Sequence, residues 1–557
     1  MPLSKNTTTI TRRNLLATSG ATLIATQVPF APALAQSAAR PTVSTLVGDV
    51  VGEALDGVNR FLGIPYAQSI AGANRFLPPQ PVAPWVGTYE ATRYADSSPQ
   101  GGVDPTGATP VTPAFDPPAY VTSGDDCLAL NVWAPVDADG SLPVMIWLHG
   151  GGWTTGSGSC AIYDGENLAS RGDVVVVTIN HRLGASGLAD FSRVVGGEYA
   201  GSSNLGIRDI QAALEWVRDN IAGFGGNPGL VTIFGESGGG WKVNTMQAVP
   251  SAEGLFHRAI VQSGPLTRFK SPEEADADAL ALLDAWGLTP ETAAEGLKTL
   301  TWEQVLEAEA AVTADFSMSA PGFPTGFWPV LDGDYLPDHP FDGTAAPSSL
   351  DVPLLIGQTG TEFTLFMLQD QAAYGLDEAG LTARITGMMG EAGTGVLATY
   401  RADFPDIAPS ALYFRIFSDF AMGGLSQAIA DARVRSGAAP TYAYRFDWNT
   451  PIADGKLYSP HTIEIPFVFD NATTEAGVVM TGGGDAAAAL AKTVSEAWVT
   501  FAKTGQPGAP GLPDWPVYSS ETRAAMHLDS VSRVAPYMPP ALVEPFQQML
   551  FAQAARQ

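Results

Sequence analysis

The run Val231-Thr232-Ile233-Phe234-Gly235-Glu236-Ser237-Gly238-Gly239 constrains this chain more than any other stretch. An apolar, β-branched segment predicts a strand, and it ends abruptly at a serine with glycine two places before and two places after. Side chains at those two positions would collide where a strand doubles back into a helix, so the pattern predicts a sharp turn with the serine hydroxyl exposed at its tip. A chain with 60 glycines meets a five-residue pattern of this kind by accident, so its surroundings have to decide.

Two surroundings agree. Upstream, Leu142-Pro143-Val144-Met145-Ile146-Trp147-Leu148 predicts a second strand, stopped by His149-Gly150-Gly151-Gly152-Trp153. A glycine turn there can aim the N–H groups of Gly151 and Gly152 at one point, and with the N–H of Gly238 they would form an oxyanion hole. Between the two motifs, Ile207, Ile210, Ala213, Leu214, Val217 and Ile221 recur near the helical period, predicting a helix over 205–221. Strand, helix, strand is the connection that a parallel sheet requires, so the fold class expected is α/β.

The 557 residues are 45% apolar and only 15% charged, enough to bury a large core. No internal repeat is visible. With 29 basic and 57 acidic residues the net charge is −28, which argues against nucleic acid or anionic membranes as partners, since both require Lys/Arg clusters. Near the start, Arg12-Arg13 precedes a Thr/Gly/Ala-rich stretch ending in Ala33-Leu34-Ala35. It reads as a twin-arginine export signal over 1–35, cleaved after Ala35, with one domain over 36–557. Gly20, Gln27, Pro29 and Pro32 interrupt the stretch too often for a membrane anchor. The expected location is periplasmic or secreted, with the Tat machinery as partner of the precursor. Cys127 and Cys160 are the only cysteines. In an oxidising compartment they either pair or remain two thiols, and neither lies on an elbow that would make it a nucleophile.

Further motifs follow in one order. They include Phe61-Leu62-Gly63-Ile64-Pro65-Tyr66-Ala67, Asp126-Cys127-Leu128-Ala129-Leu130-Asn131-Val132-Trp133, Gln262-Ser263-Gly264, Pro329-Val330-Leu331-Asp332-Gly333, Ala497-Trp498-Val499-Thr500-Phe501-Ala502 and Trp515-Pro516. With the elbow and the glycine turn, these make the chain resemble the type-B carboxylesterases, the cholinesterase-like branch of the α/β-hydrolases, from about Val47 to Tyr518. The resemblance implies one large, mostly parallel sheet flanked by helices, no metal or organic cofactor, and hydrolysis of a small-molecule ester through a Ser-His-Glu triad.

A serine hydroxyl needs an imidazole to take its proton. Of six histidines, His461 lies in Ser459-Pro460-His461-Thr462-Ile463-Glu464-Ile465-Pro466, which is similar to the family's base-bearing loop. His149 belongs to the glycine turn, His257 to a helix-like stretch after the elbow, and His181, His339 and His527 to no constellation. The third member expected is Glu362, just past the apolar run Leu354-Leu355-Ile356-Gly357. The family usually has Asn, Asp-Glu and Gly in that turn, where this chain has Thr359, Thr361 and Phe363. Asp332, the rival acid, is expected to cap its Asp-Gly turn. Glu236 resembles a family position that supports the site electrostatically. Glu464 stands three residues from His461 but, without an H-E-x-x-H motif or a Cys/His cluster, makes no hydrolytic metal site.

Trp153, Trp241, Phe323, Thr325 and Phe327 are candidate pocket residues, the last three in a segment that resembles the family's acyl pocket. The stretch 97–124 departs from the family: Ser98 stands before Pro99-Gln100 where a cysteine usually pairs with the one in Asp-Cys-Leu. Its Gly/Pro/Thr-rich part reads as a long surface loop and a lid. Rival classes are weaker. No lysine has a serine three places before it, neither glycine cluster has the G-x-G-x-x-G spacing, and the non-catalytic members of the family lack the nucleophile that this chain keeps. Hydrolysis of carbamates, amides or lactones by the same triad stays open, because those acyl groups share the tetrahedral intermediate.

Overall fold

The computed structural model describes residues 40–101, 109–313, 324 and 326–554. The expected export signal, and Phe323 and Thr325 of the candidate pocket, lie outside the described residues.

Among the described residues, eleven strands form the principal sheet: β1 (Glu53–Ala54), β2 (Val58–Pro65), β3 (Ala129–Pro135), β4 (Leu142–Leu148), β5 (Val175–Ile179), β6 (Gly226–Glu236), β7 (Arg258–Gln262), β8 (Leu354–Thr359), β9 (Thr441–Phe446), β10 (Ala524–Leu528) and β11 (Arg533–Pro536). Their spatial order is β11-β10-β9-β8-β7-β6-β4-β5-β3-β2-β1. From β5 across to β10 every pair is parallel, and antiparallel strands close both edges. A separate three-stranded sheet is made by Thr42–Thr45, Gly48–Val51 and Thr88–Glu90.

Central strands read as unbroken apolar runs because both of their faces are covered. Along β4, Val144, Ile146 and Leu148 enter one core with Ile207, Ile210, Leu214 and Val217 of helix α1 (Leu205–Asn220). Met145 and Trp147, pointing the opposite way, join the core on the other face with Phe234 and Trp498. Trp147 meets Phe234 edge-on at 4.9 Å between ring centroids. The helix predicted over 205–221 is therefore present, ending as an α-helix at Asn220 and tightening to a 3₁₀ turn over Ile221–Phe224. His257 differs from expectation: it sits in the bend just before β7 rather than in a helix.

Topology positions the site. The chain passes from β4 outward to β5, then returns to place β6 on the opposite side of β4. Loops leaving the carboxyl ends of β4 and β6 consequently diverge around a crevice, the place where open α/β sheets bind ligands. The glycine turn leaves β4 there and the serine turn leaves β6, with Leu148 in register with Gly235. The turn bearing Glu362 leaves β8, and the loop bearing His461 follows β9.

Candidate active site

Ser237 joins β6 to helix α2 (Gly238–Met246) with φ 58° and ψ −125°, a conformation that L-residues rarely adopt. The two glycines of the motif are sterically obligatory. A Cβ on Gly239 would stand 2.0 Å from the Leu148 carbonyl oxygen, and one on Gly235 would stand 2.6 Å from that same oxygen. The elbow is held by its neighbours: Ser237 N–H donates to the Gln262 carbonyl at 2.8 Å, and Trp241 N–H donates to the Ser237 carbonyl at 3.1 Å.

Facing it is the glycine turn after β4. Gly151 and Gly152 have φ of 86° and 62°, which glycine adopts freely. The turn touches the elbow closely enough that a Cβ on Gly238 would lie 2.5 Å from the Gly152 nitrogen. Gly151, Gly152 and Gly238 are thus brought to one locus.

His461 is buried, and its Nδ1 lies 2.5 Å from Glu362 Oε2. Glu362 Oε1 accepts from Ser263 Oγ at 2.6 Å and from Thr359 N–H at 2.7 Å. The acid turn is stitched to the base loop: Thr361 N–H donates to the Ser459 carbonyl at 2.9 Å, and Ser459 N–H donates to Thr361 Oγ1 at 2.9 Å. On its other side His461 presents Nε2, buried, without a hydrogen-bond partner among the described residues and 3.3 Å from Glu236 Oε1. Ser237 and His461 line one cavity of about 530 Å³ with Gly150, Gly151, Gly152 and Glu236. No direct bond between Ser237 Oγ and His461 occurs among the described residues. In serine hydrolases this contact commonly tightens only around bound substrate.

Three buried carboxyl groups crowd this imidazole. Burial, and then the charge of Glu362, push Glu236 well above the usual carboxylate range, while the main-chain N–H of Thr462 pulls it down. Glu464 is likewise pushed well above its ordinary value, by burial and then by Glu236 and Glu362. Its Oε1 is 3.3 Å from Ser263 Oγ and 3.4 Å from the Tyr444 hydroxyl, so Ser263 bridges two of the three glutamates. The rival acid Asp332 is a turn cap: Oδ1 accepts from the N–H of Asp334 and Leu336, and Oδ2 from Ser203 and Asn204.

Of the pocket candidates, Trp153, Trp241 and Phe327 are among the described residues. Among the described residues lining the cavity, neither Trp153, Trp241 nor Phe327 occurs. Trp153 stacks on Trp241 at 6.1 Å, and Phe327 is buried beside Lys270. The walls come instead from Val111, Thr112 and Phe115 in the 97–124 stretch and from Leu365 and Phe366 after the acid turn, with the Phe366 ring 4.8 Å from that of His461. The expected loop is therefore a cavity wall, anchored where Gln100 exchanges two hydrogen bonds with the backbone of Gly156 and where the Cys160 thiol donates to the Phe115 carbonyl at 2.9 Å. Cys127 and Cys160 are separate buried thiols. The Ser98 hydroxyl lies beside Cys127, and burial pushes that thiol up to about 12.

A sequence model of the carboxylesterase family matches residues 39–538. The chain belongs to the carboxylesterase family. It is 36% identical over 488 residues to the para-nitrobenzyl esterase of Bacillus subtilis (strain 168), covering 88% of this chain and 94% of that one. It is 32% identical to the phenmedipham hydrolase of Pseudarthrobacter oxydans, covering 87% and 94%. Among solved structures, a para-nitrobenzyl esterase superimposes with a TM-score of 0.76 at 33% identity, covering 92% of this chain and 99% of that one. The carboxylesterase EST55 of Geobacillus stearothermophilus gives 0.75 at 35% identity, covering 91% and 100%. The fold is that of the α/β-hydrolase carboxylesterases, and the protein is an ester-hydrolysing enzyme.

In this carboxylesterase several site residues carried no assigned role in the sequence. Ser263 stood in view within Gln-Ser-Gly, but a serine's partners are invisible until β7 is set beside β8. Phe366 carried no signal at all. Lys242 is marked in the sequence only as the one charge within α2.

Proposed function

We propose that this esterase works by acyl transfer to Ser237. His461 takes the serine proton and later delivers it to the leaving alcohol, and Glu362 fixes the imidazole tautomer and stabilises the imidazolium. The N–H groups of Gly151, Gly152 and Gly238 bind the developing oxyanion, each donor contributing on the order of 3 kcal/mol. Water then releases the acid by the same steps in reverse roles. Glu236 and Glu464 support the site electrostatically.

The observation that carries this reading is His461, gripped by Glu362 through Nδ1 while Nε2 has no hydrogen-bond partner among the described residues, at a cavity that Ser237 also lines. Replacing Ser237 by Ala should lower ester hydrolysis by about three or more orders of magnitude with the fold intact. Activity surviving at near wild-type rate overturns the assignment.

The substrate inferred is a small uncharged or cationic ester. A cavity of about 530 Å³ walled by Val111, Phe115, Leu365 and Phe366 accepts an apolar acyl or alkyl group, and a chain of net charge −28 repels anions. Carbamates, amides and lactones remain the alternative, since the same oxyanion forms from each. A panel of p-nitrophenyl esters of graded length beside aryl amides and carbamates separates them, and a higher kcat/KM on any non-ester class overturns the ester preference.

We further infer that residues 1–35 export the folded enzyme through the twin-arginine route to the periplasm or medium. The support is the Arg12-Arg13 pair and the Ala33-Leu34-Ala35 cleavage pattern. Replacing both arginines by lysine should retain the enzyme in the cytoplasmic fraction, and unchanged export refutes the inference.

A further inference from the structure

Lys242 is fully buried on α2, five residues after Ser237, and no ion pair with a carboxylate is found for it among the described residues. An isolated buried ammonium is expensive to maintain, and here burial pushes it down to about 7. Its position shows what the charge accomplishes. Nζ donates to two main-chain carbonyls, that of His149 at 2.9 Å and that of Gly152 at 2.9 Å, and lies 5.5 Å from the centre of the Trp153 ring.

Those carbonyls bracket the glycine turn. Each carbonyl shares a rigid plane with the N–H of the next residue, so holding a carbonyl holds the direction of that N–H. The plane carrying Gly151 N–H is held where the Gly150 carbonyl accepts from His149 Nδ1 at 2.9 Å. The plane carrying Gly152 N–H is held where the Gly151 carbonyl accepts from Thr155 N–H at 3.0 Å. The planes on either side, those of the His149 and Gly152 carbonyls, are both held by Lys242. Glycines at positive φ have no side chain to resist a peptide flip, so the inner pair, held by one bond each, is kept aimed more firmly when the outer planes are held too. The facing histidines bring no rival charge: burial and the Lys242 ammonium push His149 down to about 3, and the same two causes push His181, stacked on it at 4.8 Å, well below its ordinary value.

We propose that Lys242 is a positioning residue for ester hydrolysis, clamping both ends of the glycine turn to the helix that carries the nucleophile, so that the donors of Gly151 and Gly152 keep register with Gly238. This rests on the reading of that turn as the oxyanion hole. A residue that merely fills space on α2 would affect stability, whereas a clamp on the turn affects the transition state more than bound substrate.

The test uses Lys242→Met, which keeps length without a donor, and Lys242→Gln, which keeps a donor with shorter reach and serves if the Met variant does not fold. Each is measured on a p-nitrophenyl ester and with an alkyl trifluoromethyl ketone, which adds to the serine as a tetrahedral oxyanion. The expected result is a kcat lower by about 10- to 100-fold in the Met variant and less in the Gln variant, with KM within about threefold. Ketone affinity should weaken by the same factor as kcat/KM. Unchanged kcat and ketone affinity in a folded variant overturn the proposal, as does a fall in kcat with ketone affinity retained. A wild-type enzyme that binds the ketone no more tightly than the matching ester would instead remove the reading of the turn as the oxyanion hole, so the two failures are distinguishable.

Discussion

Replacing Glu362 with Gln is the sharpest perturbation of the proposed triad, because an amide copies the shape of the carboxylate but not its two-sided acceptance. In the native side chain Oε2 faces His461 Nδ1 at 2.5 Å, while Oε1 accepts from Ser263 Oγ at 2.6 Å and Thr359 N–H at 2.7 Å. Glutamine has two ways to fit. With its NH₂ toward Thr359, two donors face each other and a buried N–H loses its acceptor, a cost of about 1–3 kcal/mol. With its NH₂ toward His461, Nδ1 must accept, so the ring proton moves to Nε2 and the imidazole can no longer take a proton from Ser237. The second fit wins, and with it goes the negative charge that stabilises imidazolium. The expected fall in kcat/KM is about 10³- to 10⁴-fold, or about 4–5.5 kcal/mol of transition-state stabilisation. Initial rates on a p-nitrophenyl ester, with thermal unfolding to verify the fold, measure it. Glu362→Asp retains the charge but withdraws it by about 1.5 Å, so its loss should be smaller. A Gln variant within tenfold of wild type would refute the claim that Glu362 sets the tautomer.

Glu464→Gln tests the crowding of carboxyl groups through stability. Because the folded-state value of Glu464 is raised, the fold carries no penalty below the unfolded value of about 4.3 and a growing one as pH climbs above it. The neutral amide should therefore be without effect near pH 4 and stabilising toward pH 8 in denaturant titrations, and a gain independent of pH would contradict it. Burial pushes the Cys127 and Cys160 thiols up to about 12, so Ellman's reagent should find neither in the native enzyme and both after unfolding without reductant. Finding none after unfolding would mean a bridge.

The sequence disclosed most where local pattern and chain order coincide. The bounds of β4 and the end of the strand entering Ser237 could be read because strand residues buried on both faces are apolar and the turns that end them are glycine-rich, whereas the start of that strand, Gly226 to Leu230, carries no such run. The β8 run was legible for the same reason. What could not be read depends on side chains that meet only after the sheet is assembled. Trp153 and Trp241 look like pocket aromatics because they flank the two motifs, yet their rings stack on each other and neither is among the described residues lining the cavity. The cavity wall comes from Phe115 and Phe366, which lie in segments of weak periodicity where no local signal marks an inward side chain. The edges β1 and β11 are short, two and four residues, and carry too little pattern to be separated from loop.

The acid turn shows how a departure from family pattern is absorbed. Thr359, Thr361 and Phe363 replace the residues usual there, and a turn that lost its own hydrogen bonds would let Glu362 drift from the imidazole. In this chain Thr361 both donates to and accepts from Ser459, two residues before His461, and its hydroxyl also reaches the Leu457 carbonyl at 3.2 Å. Thr364 donates to that same carbonyl at 2.7 Å. From β9, Arg445 donates to the Gly360 carbonyl at 2.6 Å while paired with buried Asp419. The acid is thus fixed to the base loop directly as well as by the Thr359 N–H bond within its own turn, so substitutions at Thr361 should disturb the Glu362–His461 distance and not merely local stability. Thr361→Val, which keeps shape and removes the hydroxyl, strands the Ser459 N–H. Its kcat should fall by about tenfold with KM nearly unchanged if that cross-link positions the imidazole. A Val variant with unaltered kcat would show that the Thr361 hydroxyl does not position the imidazole, leaving that to the main-chain bond from residue 361, to Thr364 and to Arg445.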